Sequence, residues 1–243
     1  MKNICIDAGN TFIKIAFTEK SSIRSVAAFS LSDEEGALRY LESLPQADVC
    51  IVSAVGSINR AIIDAVVKKS ERFMELTADT PIPIRNLYET PETLGKDRLA
   101  AIVGAYSLFP DRDILIFDVG TALTIDFLDS NGNYHGGNIS PGLNMRFRAL
   151  NDYTQKLPLL SMSDDYEILG KKTSSAIVSG VQFGMVFEIK SYIDHFVKEK
   201  PDLVKILTGG DIIFFENKFE SNIFAEPNLV FIGLENIIKF NIN

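Results

Sequence analysis

Asp7-Ala8-Gly9-Asn10-Thr11 recurs, loosely, as Asp118-Val119-Gly120-Thr121-Ala122. Each copy follows an apolar run, residues 4–6 in the first and 114–117 in the second, and each leads into another apolar run. The pattern reads as strand, tight turn, strand, with an acidic residue at the tip. Glycine permits the sharp turn and leaves backbone amides facing outward for an anion, while an aspartate can hold a cation. A single Asp-x-Gly turn is an ordinary hairpin. Two of them, each opening one half of the chain, predict paired hairpins that grip a metal-bound nucleoside triphosphate across a cleft.

The surroundings of the two turns repeat as well. Residues 3–7, 11–18 and 23–30 read as a three-stranded meander. Ser32-Asp33-Glu34-Glu35 has the acidic first turn of a helix. Residues 49–55 form a buried strand, and 58–69 an amphipathic helix with Ile58, Ile62, Ala65 and Val66 on one face. A short strand at 73–76, a loop marked by Pro81, Pro83 and Pro91, and a helix over 94–108 complete the first half.

In the second half, 114–117, 123–128 and 134–139 read as strands, with a strong turn at 129–133. Helices follow at 141–153 and 174–197, the latter with Ile177, Val181, Ile189, Ile193 and Phe196 on its core face. Then come a strand at 204–207, a helix start at 211–215, a strand at 229–232 and a closing helix. Each half thus reads as three strands, helix, strand, helix, strand, helix. The expectation is an α/β protein of two similar domains, 1–111 and 112–243, rather than a solenoid.

The chain's 243 residues suffice for two cores, and 46% hydrophobic content argues against disorder. The net charge of −8 disfavours a nucleic-acid surface. No apolar run reaches membrane-spanning length, and Asp7 interrupts the N-terminal one, so neither a membrane span nor a signal peptide is expected. Cys5 and Cys50 both lie in apolar strands and read as buried thiols, which fits a reduced, cytoplasmic setting.

Familiar nucleotide and metal signatures are absent: no Gly-x-x-x-x-Gly-Lys-Ser/Thr, no Gly-x-Gly-x-x-Gly, no His-Glu-x-x-His and no Cys-x-x-Cys. With only His135 and His195, a serine–histidine triad has little support. Lys14 lies inside an apolar strand, where it either meets an anion or points to solvent; periodicity leaves both open. Tyr88-Glu89-Thr90-Pro91-Glu92-Thr93-Leu94-Gly95-Lys96-Asp97-Arg98 joins a loop to a helix start with an adjacent acid–base pair. Such a stretch is either a capped surface helix or a site in which the aspartate takes a hydroxyl proton and the arginine binds a carboxylate or phosphate. Gly136-Gly137-x-Ile139-x-Pro141-Gly142 and Thr208-Gly209-Gly210-Asp211 are glycine turns at strand-to-helix junctions. Gly180-x-x-x-Gly184, inside the long helix, reads as a close helix-packing surface.

In order and spacing these pieces resemble the acetate and sugar kinase, heat-shock chaperone and actin superfamily, and more closely the type III pantothenate kinases. The resemblance rests on Asp7-Ala8-Gly9-Asn10-Thr11-x-x-Lys14, Tyr88-x-x-Pro91-x-x-x-Gly95-x-Asp97-Arg98, Asp118-x-Gly120-Thr121-Ala122-x-Thr124-x-Asp126, the Gly136–Gly142 turns and Thr154-x-x-Leu157-Pro158. It implies two ribonuclease H-like domains with mixed five-stranded sheets and flanking helices. It also implies a reaction, ATP and pantothenate giving ADP and 4′-phosphopantothenate, the first step toward coenzyme A.

By the same resemblance, Asp7, Ala8, Gly9, Asn10, Thr11, Phe12, Ile13 and Lys14 embrace the ATP phosphates, with Asp7 near magnesium, and Thr121 contacts a phosphate. Asp97 is the general base. Tyr88, Gly95, Lys96, Asp97, Arg98 and Thr173 surround pantothenate, Thr173 across a homodimer interface formed through the helix after Asp97. Asp118 matches the ligand of a monovalent cation, potassium or ammonium. Two positions depart from the family pattern: Lys96 replaces a small residue, and Lys172 stands where asparagine is common. The competing functions are a related small-molecule kinase and a non-catalytic nucleotide-binding regulator, since some relatives were first named as transcription accessory factors. Retention of Asp7, Asp97, Arg98 and Asp118 favours catalysis.

Overall fold

The computed structural model describes residues 1–56, 58–219 and 222–242. In chain order the elements are β1 (Lys2–Ala8), β2 (Phe12–Glu19), β3 (Ser22–Ser30), α1 (Glu34–Ser43), β4 (Ala47–Ala54), α2 (Arg60–Lys69), β5 (Ser70–Glu75), β6 (Arg85–Asn86) and α3 (Lys96–Leu108). There follow β7 (Ile114–Val119), β8 (Ala122–Leu128), β9 (Asn133–Pro141), α4 (Leu143–Asp152), α5 (Thr173–Glu199), β10 (Val204–Thr208), α6 (Ile212–Phe215), β11 (Phe224–Ala225) and α7 (Leu229–Ile242). Two sheets run in the orders β3-β2-β1-β4-β5 and β11-β10-β7-β8-β9-β6. Apart from the short β6, the second order repeats the first: a meander whose opening strand is flanked by two later strands. β4 lies parallel to β1, and β10 parallel to β7. The second sheet therefore carries one strand beyond the five expected.

The chain divides into two compact units, Met1–Asp111 with Asn131–His135 and Asn228–Asn243, and Arg112–Ser130 with Gly136–Pro227. Two short segments of the second half of the chain thus join the first unit.

In the first unit, alternation along β1 separates two faces. Ile4, Ile6 and Ala8 enter a core with Ala37 and Leu41 of α1 and Ile62 and Val66 of α2. Asn3, Cys5 and Asp7 take the opposite face, where the fully buried side chain of Asn3 donates to both carboxylate oxygens of Glu235 on α7, at 3.1 and 2.9 Å. Thr18 of β2 donates to the same carboxylate at 2.7 Å. α3 and α7 pack at near-backbone contact: a Cβ on Gly104 would lie 2.3 Å from the Leu229 carbonyl oxygen, and one on Gly233 1.8 Å from that of Ala100. Asn59 caps α2 by accepting the Ala61 N–H at 2.8 Å, so Ile58, expected inside the helix, precedes it.

Residues 229–232, expected as a strand, open α7 instead, and the last strand is the two-residue β11. A short apolar run fits either element; burial of Leu229, Phe231, Leu234, Ile237 and Ile238 along one segment decides for helix. In the second unit, Leu115, Phe117 and Val119 of β7 pack with Leu143 and Phe147 of α4 and with Ile177, Val181, Met185, Ile189 and Ile193 of α5. The Gly180–Gly184 face of α5 does not pack as expected. A Cβ on Gly180 would meet nothing within 4 Å, and one on Gly184 only an arginine nitrogen at 3.9 Å.

Candidate active site

Asp7 ends β1 opposite Lys14 on β2 and Ser53 on β4. Parallel strands gather their carboxyl ends at one edge, the usual place for a ligand in such sheets. Asp7 is only 8% exposed. Burial raises its carboxyl group to about 6, the charge of Asp97 adds to the rise, and Lys14 and a 3.4 Å hydrogen bond from Ser53 oppose it. The site thus brings two carboxylates from distant segments into one electrostatic neighbourhood, with one lysine.

The β1–β2 turn closes tightly: the Gly9 N–H donates to the Phe12 carbonyl at 3.0 Å, and the Leu31 N–H to that of Thr11 at 3.2 Å. Asn10, Thr11 and Phe12 are exposed at its tip. Ala8 and Ile13 are buried in the core, so only their backbone can face a ligand. A cavity of about 290 Å³ adjoins the turn, lined among others by Gly9, Asn10, Leu31, Glu34 and Asn59.

Gly95 is the N-cap residue of α3, following a 3₁₀ turn at Pro91–Thr93. Lys96 and Asp97 are half-buried. An Asp97 carboxylate oxygen accepts the Arg98 N–H at 2.8 Å, which fixes the acid at the helix start. Arg98 is 6% exposed, and its Nη2 donates to the Tyr134 hydroxyl at 3.0 Å. Its guanidinium carbon lies 5.7 Å from the Tyr88 ring centroid, and Tyr88 stacks on Tyr134 at 6.1 Å and 12°. The first unit therefore assembles Asp7, Lys14, Tyr88, Gly95, Lys96, Asp97 and Arg98. Sequence reasoning did not single out Ser53 and Tyr134, which hydrogen-bond Asp7 and Arg98. Ser53 left a signal, a hydroxyl inside an otherwise apolar strand; Tyr134 reads as one more aromatic in an alternating strand.

In the second unit, Asp118 of β7 is half-buried opposite Thr124 and Thr208. Thr121 is exposed at the tip of the β7–β8 turn, where the Gly120 N–H donates to the Ala122 carbonyl at 3.1 Å. Both glycine motifs close on this turn. The Gly142 N–H donates to the Thr121 carbonyl at 3.2 Å, and a Cβ there would lie 2.3 Å from the Gly120 oxygen. Gly209, at φ +103°, leaves no room for a Cβ beside Asp118 Oδ1. The Asp211 N–H reaches the Val119 carbonyl at 2.9 Å, and burial raises the Asp211 carboxyl group. Thr173 opens α5, exposed, with the Ser175 hydroxyl accepting the Lys171 and Lys172 N–H groups beside it. His135 and His195 are both exposed.

Among the described residues no group of three or more acidic, histidine or cysteine side chains stands ready to hold a metal ion. A single buried carboxylate such as Asp7 would suit a magnesium ion, which needs few ligands from the protein itself. None of the helices searched among the described residues is long and apolar enough to cross a membrane.

The fold is that of the actin-like kinases and ATPases. It is shared with a Campylobacter jejuni protein given as a candidate Baf family transcriptional activator (23% identity, TM-score 0.62, 98% of both chains covered). It is shared also with an Arthrobacter inorganic polyphosphate/ATP-glucomannokinase (13% identity, TM-score 0.51, 99% of both chains covered). At these identities the likeness concerns the fold alone. The family model for type III pantothenate kinase matches residues 3–195. A type III pantothenate kinase of Phocaeicola vulgatus is 41% identical over 247 aligned positions, with 98% of each chain covered. The chain belongs to the type III pantothenate kinase family, whose ATP-dependent phosphorylation of pantothenate is the first step of coenzyme A biosynthesis.

Proposed function

We propose that Asp97 is the general base of this pantothenate kinase, taking the proton from the pantothenate hydroxyl as it attacks the γ-phosphate of ATP. The observation that carries this reading is the placement of Asp97 at the start of α3, with Asp7 its electrostatic neighbour and Arg98 beside it. Phosphoryl transfer depends mainly on positioning and charge neutralisation, and a base in reach of the acceptor completes the requirement. Arg98 and Tyr88 bind the acceptor, the guanidinium meeting its carboxylate. Gly95 and Lys96 shape the same helix start, and Lys96 adds positive charge where the family has a small residue.

The turn from Asp7 to Lys14 receives the ATP phosphates through its backbone amides and the Lys14 ammonium. Asp7 would hold the magnesium that accompanies ATP, and that ion would supply neutralisation of phosphate charge. In the second unit, Asp118 would hold a monovalent cation and Thr121 would contact a phosphate. Buried free thiols at Cys5 and Cys50, both raised by burial, fit a reducing cytoplasm.

The active form is a homodimer. α3, expected to form its interface, is spent inside its own unit, with Leu99 to Ala105 buried. The open face of α5 replaces it. Gly180, Gly184 and the half-exposed Phe187 share one helical face, and Thr173 opens the same helix.

ATP-dependent phosphorylation of pantothenate, followed with magnesium and with or without potassium, tests the assignment. Wild type should turn over only with the monovalent cation. Asp97→Asn should lose roughly 100-fold or more in kcat while remaining folded. Undiminished turnover in Asp97→Asn would remove Asp97 from the mechanism, and potassium-independent turnover would remove the Asp118 cation.

A further inference from the structure

We infer that Tyr134 is a positioning residue for acceptor recognition: its hydroxyl fixes the Arg98 guanidinium and its ring carries Tyr88. The inference rests on the reading of Arg98 and Tyr88 as the acceptor-binding pair. Three contacts converge on this one side chain and its backbone. The Tyr134 hydroxyl accepts from Arg98 Nη2 at 3.0 Å. Its ring lies nearly parallel to that of Tyr88, 12° off and 6.1 Å away. Its carbonyl accepts the Leu87 N–H at 3.0 Å, immediately before Tyr88, and β6 pairs with β9 at Asn86 and Tyr134. The Tyr88 N–H in turn donates to the Asn86 side-chain oxygen at 3.0 Å.

Tyr134 is itself fixed. It is fully buried, and the segment that carries it, residues 131–135, is a piece of the second half of the chain built into the first unit. Gly132, at φ +75°, seats this segment against Tyr106 of α3, the helix that begins with Asp97 and Arg98. Both members of the pair thus answer to one buried residue. A long arginine side chain has many rotamers, and a hydrogen bond donated to a fully buried hydroxyl selects among them. Arg98 can then meet a planar carboxylate in one orientation. Tyr134 touches no reacting atom in this reading, so its effect belongs in acceptor recognition rather than in phosphoryl transfer.

The test compares wild type, Arg98→Ala, Tyr134→Phe and the double variant. Each is assayed with pantothenate and with pantothenyl alcohol, which lacks the carboxylate. Tyr134→Phe keeps the ring and removes only the hydroxyl. It should raise the pantothenate KM roughly ten-fold, the scale of a hydrogen bond to a charged group, and leave the ATP KM and the melting temperature nearly unchanged. It should also narrow the preference for pantothenate over the alcohol. In the Arg98→Ala background the same change should add little, because the two residues act as one unit. If Arg98→Ala destroys the preference and Tyr134→Phe leaves it intact, Tyr134 has no positioning role. If Arg98→Ala leaves the preference intact, the acceptor-pair reading itself is wrong. Should Tyr134→Phe lower the melting temperature, Tyr88→Leu provides a second arm. It removes the stacked ring and should raise the pantothenate KM without altering that for ATP; an unchanged pantothenate KM overturns the ring's part in the proposal.

Discussion

Asp7 is buried beside a second carboxylate, so folding works against its charge. Its carboxyl group moves from 3.8 in the ordinary case to about 6. The folded state therefore binds this proton more tightly than the unfolded chain does. The stabilisation is fully present below about pH 4 and is lost as pH rises through about 6; two pKa units correspond to about 3 kcal/mol. Asp7→Asn should remove that dependence. Urea unfolding at pH 7.5 should show the variant more stable than wild type by up to about 3 kcal/mol, with the gap closing near pH 4. Nucleotide with magnesium should raise the melting temperature of wild type and not of the variant. An equal gap at both pH values would contradict the burial argument. The residue that weakens the fold is the one proposed to hold the nucleotide's metal, a trade expected where function requires an unfavourable charge.

Among the elements, α3 carries the most. Its first turn presents Asp97 and Arg98, and its remaining length is buried as far as Ala105. The Gly104–Gly233 contact with α7 sets its depth, and Glu235 of α7 is anchored in turn by Asn3 and Thr18. Gly233→Ala would place a methyl group 1.8 Å from the Ala100 carbonyl oxygen. Helix separation should follow, with a stability loss of roughly 1–3 kcal/mol by chemical denaturation. Because α3 also carries Asp97, kcat should fall as well; a variant with wild-type stability and kcat would show that the contact does not fix the helix. The sequence could not announce this pairing. Leu229-Val230-Phe231-Ile232 suits a buried strand as well as a buried helix, and its burial along the length of α7 decides the matter only in the fold. The Gly180–Gly184 pair shows the converse, a small-residue spacing that suggests close packing on a face where a Cβ would have room.

For the whole molecule, the repeated sheet order states the duplication more firmly than the sequence repeat does, since β3-β2-β1-β4-β5 returns as β9-β8-β7-β10-β11. The open α5 face gives the assembly prediction. Phe187 is 51% exposed, more than a large aromatic side chain usually is. Phe187→Glu should shift light-scattering mass from dimer to monomer, and pantothenate turnover should fall with it if Thr173 serves the partner's site; a Phe187→Glu dimer would place the interface elsewhere.

The sequence by itself determined the two Asp-x-Gly turns, the strand and helix order around them, the helix start bearing Asp97 and Arg98, and through their spacing the family. Those features are local: turn chemistry, periodicity and caps are written within a few residues. Tertiary structure alone decided that Ser53 hydrogen-bonds Asp7 and Tyr134 hydrogen-bonds Arg98, that Ala8 and Ile13 face the core, that residues 131–135 and 228–242 join the first unit, and that 229–232 is helical. Each of these depends on a partner dozens of residues or more away. Burial, charge coupling and close backbone approach are properties of pairs, and the partner in each pair is chosen only when the chain folds.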